Sequence, residues 1–305
     1  MYSCIAKMYR TRCELPATRG LGVRLTTIRL DEGATAAGRL DEDRITLLPY
    51  EDVGALLASG PGWRERAERA AGRAVPASGA DLAPLTPRPE KILCVGVNYR
   101  DHIAEVGVEP PEHPTIFAKY ARSLIGPYDD ITLPAGSDAV DWEVELGVVV
   151  GETARDVSAG EAWDAIAGYT IVNDISMRDW QFRTSQFLQG KTFEASTPVG
   201  PYLVTPDEVG HARACGLTCA VDDDVMQKSV TSELVFSAAE IISYISSFIT
   251  LVPGDLIATG TPGGVGGARK PPVYLAPGQT VTSRIDGLGE LVNRCVAPTP
   301  TPAGR

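Results

Sequence analysis

Cysteine and histidine are scarce in this chain of 305 residues, with six of the first and three of the second. None of Cys4, Cys13, Cys94, Cys215, Cys219 and Cys295 forms a C-x-x-C pair, which argues against a disulfide scaffold. Cys215 and Cys219 lack a second Cys or His pair at zinc spacing and read as buried thiols in a reducing, cytoplasmic setting. Long apolar runs are missing too. The longest, Ile241 to Val252, is interrupted by Ser243, Ser246 and Ser247 and is too short to span a bilayer. Positive charge is also in deficit: 28 Lys and Arg against 39 Asp and Glu give a formal charge of −11. Nucleic acid and anionic membranes are therefore disfavoured as partners. The opening stretch through Gly20 has no apolar core or small-residue cleavage site of a secretory signal, and residues 1–22 read as an irregular extension.

What is present is enough apolar residue, 44%, for a packed globular core. Short β-rich pieces between Val23 and Leu57, then Pro76, Pro84, Pro87 and Pro89, predict a small N-terminal β-rich domain with a Pro-rich linker over 23–88. A main domain follows over 89–298, and 299–305 read as a disordered tail. Many short apolar runs separated by Gly, Pro and Asp predict an α+β, β-dominated fold without regular strand–helix alternation. One helix is clear. Ser237 and Glu240 form a capping box, after which Ile241, Ile242, Ile245, Phe248 and Ile249 recur at helical spacing, ending before Pro253.

The sharpest chemical signal is Asp141-Trp142-Glu143-Val144-Glu145-Leu146-Gly147. A strand's period of two puts Glu143 and Glu145 on one face, where they repel unless solvated or compensated by a cation. Hard oxygen ligands suit Mg²⁺ or Mn²⁺ better than Zn²⁺. Asp174, closing the apolar strand Tyr169 to Asn173, is a candidate third ligand. Arg178 and Gln181 then fall on one side of a short helix and Lys191 follows a glycine, a set that suits an anionic substrate, although ordinary surface charge looks the same. His102 and Glu105 share a helical face, the arrangement of an oriented general base or of a surface pair. His113 and His211 have no comparable setting. The segment Gly254 to Gly266 is a strand running into a Gly-rich turn with no G-K-[ST] after it and no helix opening on it, so it is not a nucleotide loop. It can present backbone N–H groups and the Thr261 hydroxyl to a carboxylate.

Taken in order, from Lys91-Ile92-Leu93-Cys94-Val95-Gly96-Val97-Asn98-Tyr99 through the Thr259-Gly260-Thr261-Pro262 turn to Gly287-Leu288-Gly289, these segments resemble the fumarylacetoacetate hydrolase family, in its acylpyruvase and 2-hydroxyhepta-2,4-diene-1,7-dioate isomerase-like branch. The resemblance implies a mixed β-sheet roll or pseudo-barrel and a homodimer. It also implies one Mg²⁺ or Mn²⁺ per chain on Glu143, Glu145 and Asp174. It assigns His102, Glu105 and Lys191 to catalysis and Arg178, Gln181 and Thr261 to substrate binding. The implied activity is hydrolysis of a C–C bond in a 2,4-dioxo acid of the acylpyruvate or fumarylpyruvate type. An oxaloacetate-type decarboxylase, a dienedioate isomerase and a non-catalytic binder of 2-oxo acids are the alternatives. Glu194 departs from the family's Asp after G-K-[ST]-F.

Overall fold

The chain is described here from a computed structural model over residues 22–298; the extension and tail expected from the sequence lie outside these, Gly22 excepted. An eleven-stranded mixed sheet forms the spine. At its centre Val144–Val150 pairs antiparallel with Ile166–Asn173 on one side and with Leu256–Ala258 on the other. Every residue of the two longer strands is buried, so both faces of the sheet are covered by other layers.

The sheet's two margins are Ala74–Pro76 and Thr115–Lys119, so it stays open and does not close into a barrel. A second, five-stranded sheet carries Gly216–Val221, Thr280–Ile285 and Gly289–Val296. Side-chain alternation along the central strand separates two cores. Val144, Leu146, Val148 and Val150 enter one with Leu217, Val281 and Leu291 of the second sheet and with Ile241, Ile242 and Ile245 of the capped helix. Val149, on the opposite face, packs with Leu25, Leu56 and Leu57 from the N-terminal segment. Burial of each such side chain contributes roughly 1.5–3 kcal/mol. Gly147 lets the neighbouring strand come close, because a Cβ there would sit 2.7 Å from Thr170 Cγ2.

The N-terminal strand Arg24–Arg29 joins the main sheet by pairing antiparallel with Thr197–Val204. The predicted helix forms over Ala238–Ser246 with its capping box intact. Its end is earlier than the sequence pattern suggests: Phe248 and Ile249 lie beyond Ser246 and are exposed, and their N–H groups both bond the Ile245 carbonyl as the helix closes.

Candidate active site

Register brings the predicted carboxylates together. Val144 faces Asn173 and Glu145 faces Val172 across the central antiparallel pair. Glu143 therefore stands opposite Asp174, and the Asp174 N–H donates to the Glu143 carbonyl at 2.9 Å. Asn173 Oδ1 accepts from the Glu143 N–H at 2.9 Å, fixing the chain just before the strand. Glu143, Glu145 and Asp174 are all buried and offer ligand oxygens within 4.8 Å of one another.

Cations oppose this charge from three elements. Lys191, ending the short helix Leu188–Lys191, donates to Glu143 Oε2 at 2.7 Å and to Asp174 Oδ2 at 3.0 Å. Lys119, the last residue of the strand Thr115–Lys119, donates to Asp174 Oδ1 at 2.6 Å and to the Lys191 carbonyl. Arg178 donates to Glu143 Oε1 at 2.7 Å, to Asp141 Oδ2 at 2.8 Å and to Gln181 Oε1 at 2.8 Å. Burial opposes ionisation of Asp174, but Lys119 and Lys191 outweigh it and hold that carboxyl below the usual range. Burial likewise opposes charge on Lys191, yet Asp174 and Glu143 keep its ammonium above its ordinary value.

Glu145 is the exception. Its Oε2 accepts a backbone N–H from Gly260 at 2.7 Å, where the other carboxylates have side-chain cations. Burial, then repulsion from Asp174 and Glu143, pushes its carboxyl well above the usual range. Three hard oxygen donors that repel each other in a dry place fit a divalent ion of the Mg²⁺ or Mn²⁺ kind, which would relieve that repulsion. Gly260 is required beside it: φ is +101°, and a Cβ would meet Asn98 Cβ at 2.8 Å and the Val95 carbonyl at 2.9 Å.

His102 and Glu105 lie on the helix Arg100–Val106, with His102 Nδ1 2.9 Å from Glu105 Oε2. The other oxygen of Glu105 accepts the Gly264 N–H at 2.8 Å, and Asp101 accepts from the Gly263 N–H at 3.2 Å. The Gly-rich turn thus clasps the helix. Burial works against ionisation of Glu105, but His102 and Gly264 prevail and lower its carboxyl.

A cavity of about 660 Å³ adjoins these groups and is lined by His102, Glu143, Glu145, Arg178, Gln181, Lys191 and Thr261. Thr261 reaches it with its hydroxyl already committed, donating to the Val144 carbonyl at 2.9 Å and accepting from Gln227 at 2.8 Å. The proton expected for a substrate carboxylate is thereby spent inside the protein. Glu194 is exposed and pairs with Arg122. Sequence reasoning missed Lys119 and Asp141. Asp141 is fully buried and accepts from Arg178 and from the N–H groups of Trp142, Gly266 and Gly267. An aspartate opening the Glu143–Glu145 segment and a lysine ending an apolar strand are the only local traces of those roles.

The family model described as fumarylacetoacetate (FAA) hydrolase C-terminal matches residues 91–296. The chain is 48% identical over 217 residues to "Oxaloacetate tautomerase FAHD2A, mitochondrial" of Bos taurus, covering 70% of this chain and 69% of that one. The 2-hydroxyhepta-2,4-diene-1,7-dioate isomerase from Mycobacterium marinum superposes with a TM-score of 0.74 at 33% identity, over 90% of this chain and 98% of that one. Maleylpyruvate hydrolase from Sphingobium sp. SYK-6, in complex with manganese(II) ion and pyruvate, gives 0.74 at 29% identity over 90% and 100%. Sequence and fold therefore agree that this chain belongs to the fumarylacetoacetate hydrolase family.

Proposed function

We propose that the chain binds a small 2-oxo acid at Glu143, Glu145 and Asp174, stabilises the enolate formed at C3, and hydrolyses the C3–C4 bond when the substrate carries a 4-oxo group. The observation that carries this reading is three buried carboxylates converging within 4.8 Å beside a cavity that His102, paired with Glu105, also lines. One Mg²⁺ or Mn²⁺ held by the three would supply Lewis acidity for the negative charge developing on the 2-oxo group.

The chain's own groups supply the rest. Arg178 lines the cavity and supplies positive charge for the substrate carboxylate, and its buried Nη2 has no hydrogen-bond partner. With Nδ1 engaged by Glu105, His102 has Nε2 left to take a proton from water adding to C4. The C3–C4 electron pair passes to C3, the carboxylic acid of the acyl group departs, and protonation of C3 leaves pyruvate. Lys191 serves an oxygen of the reacting carbonyl once Glu143 and Asp174 are neutralised otherwise, with Gln181 beside it. Thr261 contributes by fixing the Gly-rich turn to Val144 rather than by touching substrate.

A second reading is tautomerisation or decarboxylation of an oxaloacetate-like acid, favoured by 48% identity to a relative bearing the tautomerase name. It needs the same enolate and no water. Turnover of acylpyruvates, fumarylpyruvate and oxaloacetate with Mg²⁺ or Mn²⁺, with and without chelator, separates the two. Chelator-resistant turnover would sink both readings, and hydrolysis retained by His102→Ala would remove that residue from the first. We further propose a homodimer in a reducing compartment such as the cytoplasm, consistent with buried free thiols at Cys94, Cys219 and Cys295. Light scattering and fractionation test these points.

A further inference from the structure

The cavity is chemically two-sided. At one end stand the carboxylates with Arg178 and Lys191; the remaining wall includes Val97, Val106, Phe117, Phe182, Phe187 and Tyr274. Phe117 joins the two ends, since Lys191 Nζ lies 5.3 Å from its ring centroid while Phe187 packs edge-on to it at 5.7 Å. Val106 and Phe182 at this wall are 43% and 69% exposed, apolar surface open to cover by something else.

Charge decides what that is. Among the described residues lining the cavity, the basic side chains are Arg178, Lys191 and His102. Arg178 is paired with Asp141 and Glu143, Lys191 with Glu143 and Asp174, and His102 with Glu105. The further ionisable groups at the wall are the phenol of Tyr274 and Asp179, an acid whose carboxylate accepts from Ser137 at 2.6 Å. A second carboxylate at the far end of a substrate would therefore meet phenyl and methyl groups and a like charge, with the lining cations already paired to carboxylates. A cavity of about 660 Å³ also exceeds the needs of a short diacid and lies within the range of roughly 300–1,000 Å³ typical of larger ligands.

We propose that the substrate is a 2-oxo acid whose distal substituent is uncharged and apolar, of aryl or branched alkyl size, and that Phe117, Phe187 and Val106 select it. The proposal rests on the 2-oxo-acid reading above and deepens it. It sets this chain apart from any relative acting on a dicarboxylate.

The test uses the full chain loaded with Mn²⁺ and non-reacting head analogues: oxamate, N-benzyloxamate and N-(carboxymethyl)oxamate, with Kd from calorimetry. Burying a phenyl ring should make N-benzyloxamate bind about tenfold tighter than oxamate or better, and the carboxymethyl compound should bind no tighter than oxamate. In Val106→Arg, at an exposed position that tolerates charge, the carboxymethyl compound should gain affinity over the benzyl one. Binding of the carboxymethyl compound by the unmodified chain as tight as that of N-benzyloxamate, or tighter, overturns the apolar tail while oxamate binding upholds the head. Failure of oxamate itself to bind overturns the head reading and the proposal together.

Discussion

The Glu105 carboxylate bridges His102 Nδ1, at 2.9 Å, and the Gly264 N–H, at 2.8 Å, so one side chain both orients the imidazole and fastens its helix to the Gly-rich turn. Glu105→Gln separates these tasks. The amide oxygen can still accept from Gly264, but its nitrogen cannot accept from His102 Nδ1–H. Hydrolysis should fall by about 10²-fold or more, as when a general base is misoriented, with the melting temperature nearly unchanged. Unaltered kcat would sink the orienting role. Because the Glu105 carboxyl is held below its ordinary value, its stabilising bonds persist above the usual glutamate range and are lost only as pH falls through the lowered pKa.

Glu145 behaves in the opposite sense. Its raised carboxyl means that stability declines as pH climbs from the ordinary glutamate value toward the elevated one. In chelator, Glu145→Gln should therefore melt higher than the unmodified chain, with a gap that widens as pH rises. With Mn²⁺ at about 100 times Kd, the unmodified chain should gain ~2.7 kcal/mol and the variant far less. An equal metal-induced shift in both proteins would exclude Glu145 as a ligand.

Asp141 gathers four donors: Arg178 Nε, Trp142 N–H, Gly266 N–H and Gly267 N–H. Asp141→Asn places an amide nitrogen among them and removes one of the two carboxylates that pair with Arg178. Breaking such a buried pair costs roughly 3–5 kcal/mol. Urea unfolding reads the loss, and a change under about 0.5 kcal/mol, the range of an ordinary surface substitution, would refute the assignment.

Val97 adopts φ of +56°, a left-handed conformation that a β-branched side chain resists. Asn98 enforces it, bonding through its side chain to the Phe236 N–H and carbonyl and to the Thr259 carbonyl. Val97→Gly should stabilise the fold by about 1 kcal/mol through relief of that strain, while weakening affinity for an apolar-tailed ligand by removing a wall residue. A clear drop in unfolding midpoint would contradict strain at this position.

How much of this was readable beforehand follows from the range of each interaction. Glu143 and Glu145 share a face because of strand periodicity, a local rule, and Ser237 with Glu240 announces its helix equally locally. The approach of Asp174 depends on register between two strands, which no single segment encodes. Burial misled the reading of charge: Arg178 and Lys191 resemble surface residues in sequence, yet both are nearly inaccessible because carboxylates from other strands compensate them. Lys119 was missed for the same reason, since its partners stand 55 and 72 positions further on. The anchoring of Thr261 was equally out of local reach, since its hydroxyl is claimed by Val144, a partner 117 positions away.

The pairing of Arg24–Arg29 with Thr197–Val204 has a practical consequence for anyone who divides this molecule. A fragment starting at the Pro-rich stretch would lose the layer that covers Val149, Val172 and Leu203 and would bare the rim against which Leu25 aligns. Such an excised piece would be sticky rather than self-sufficient.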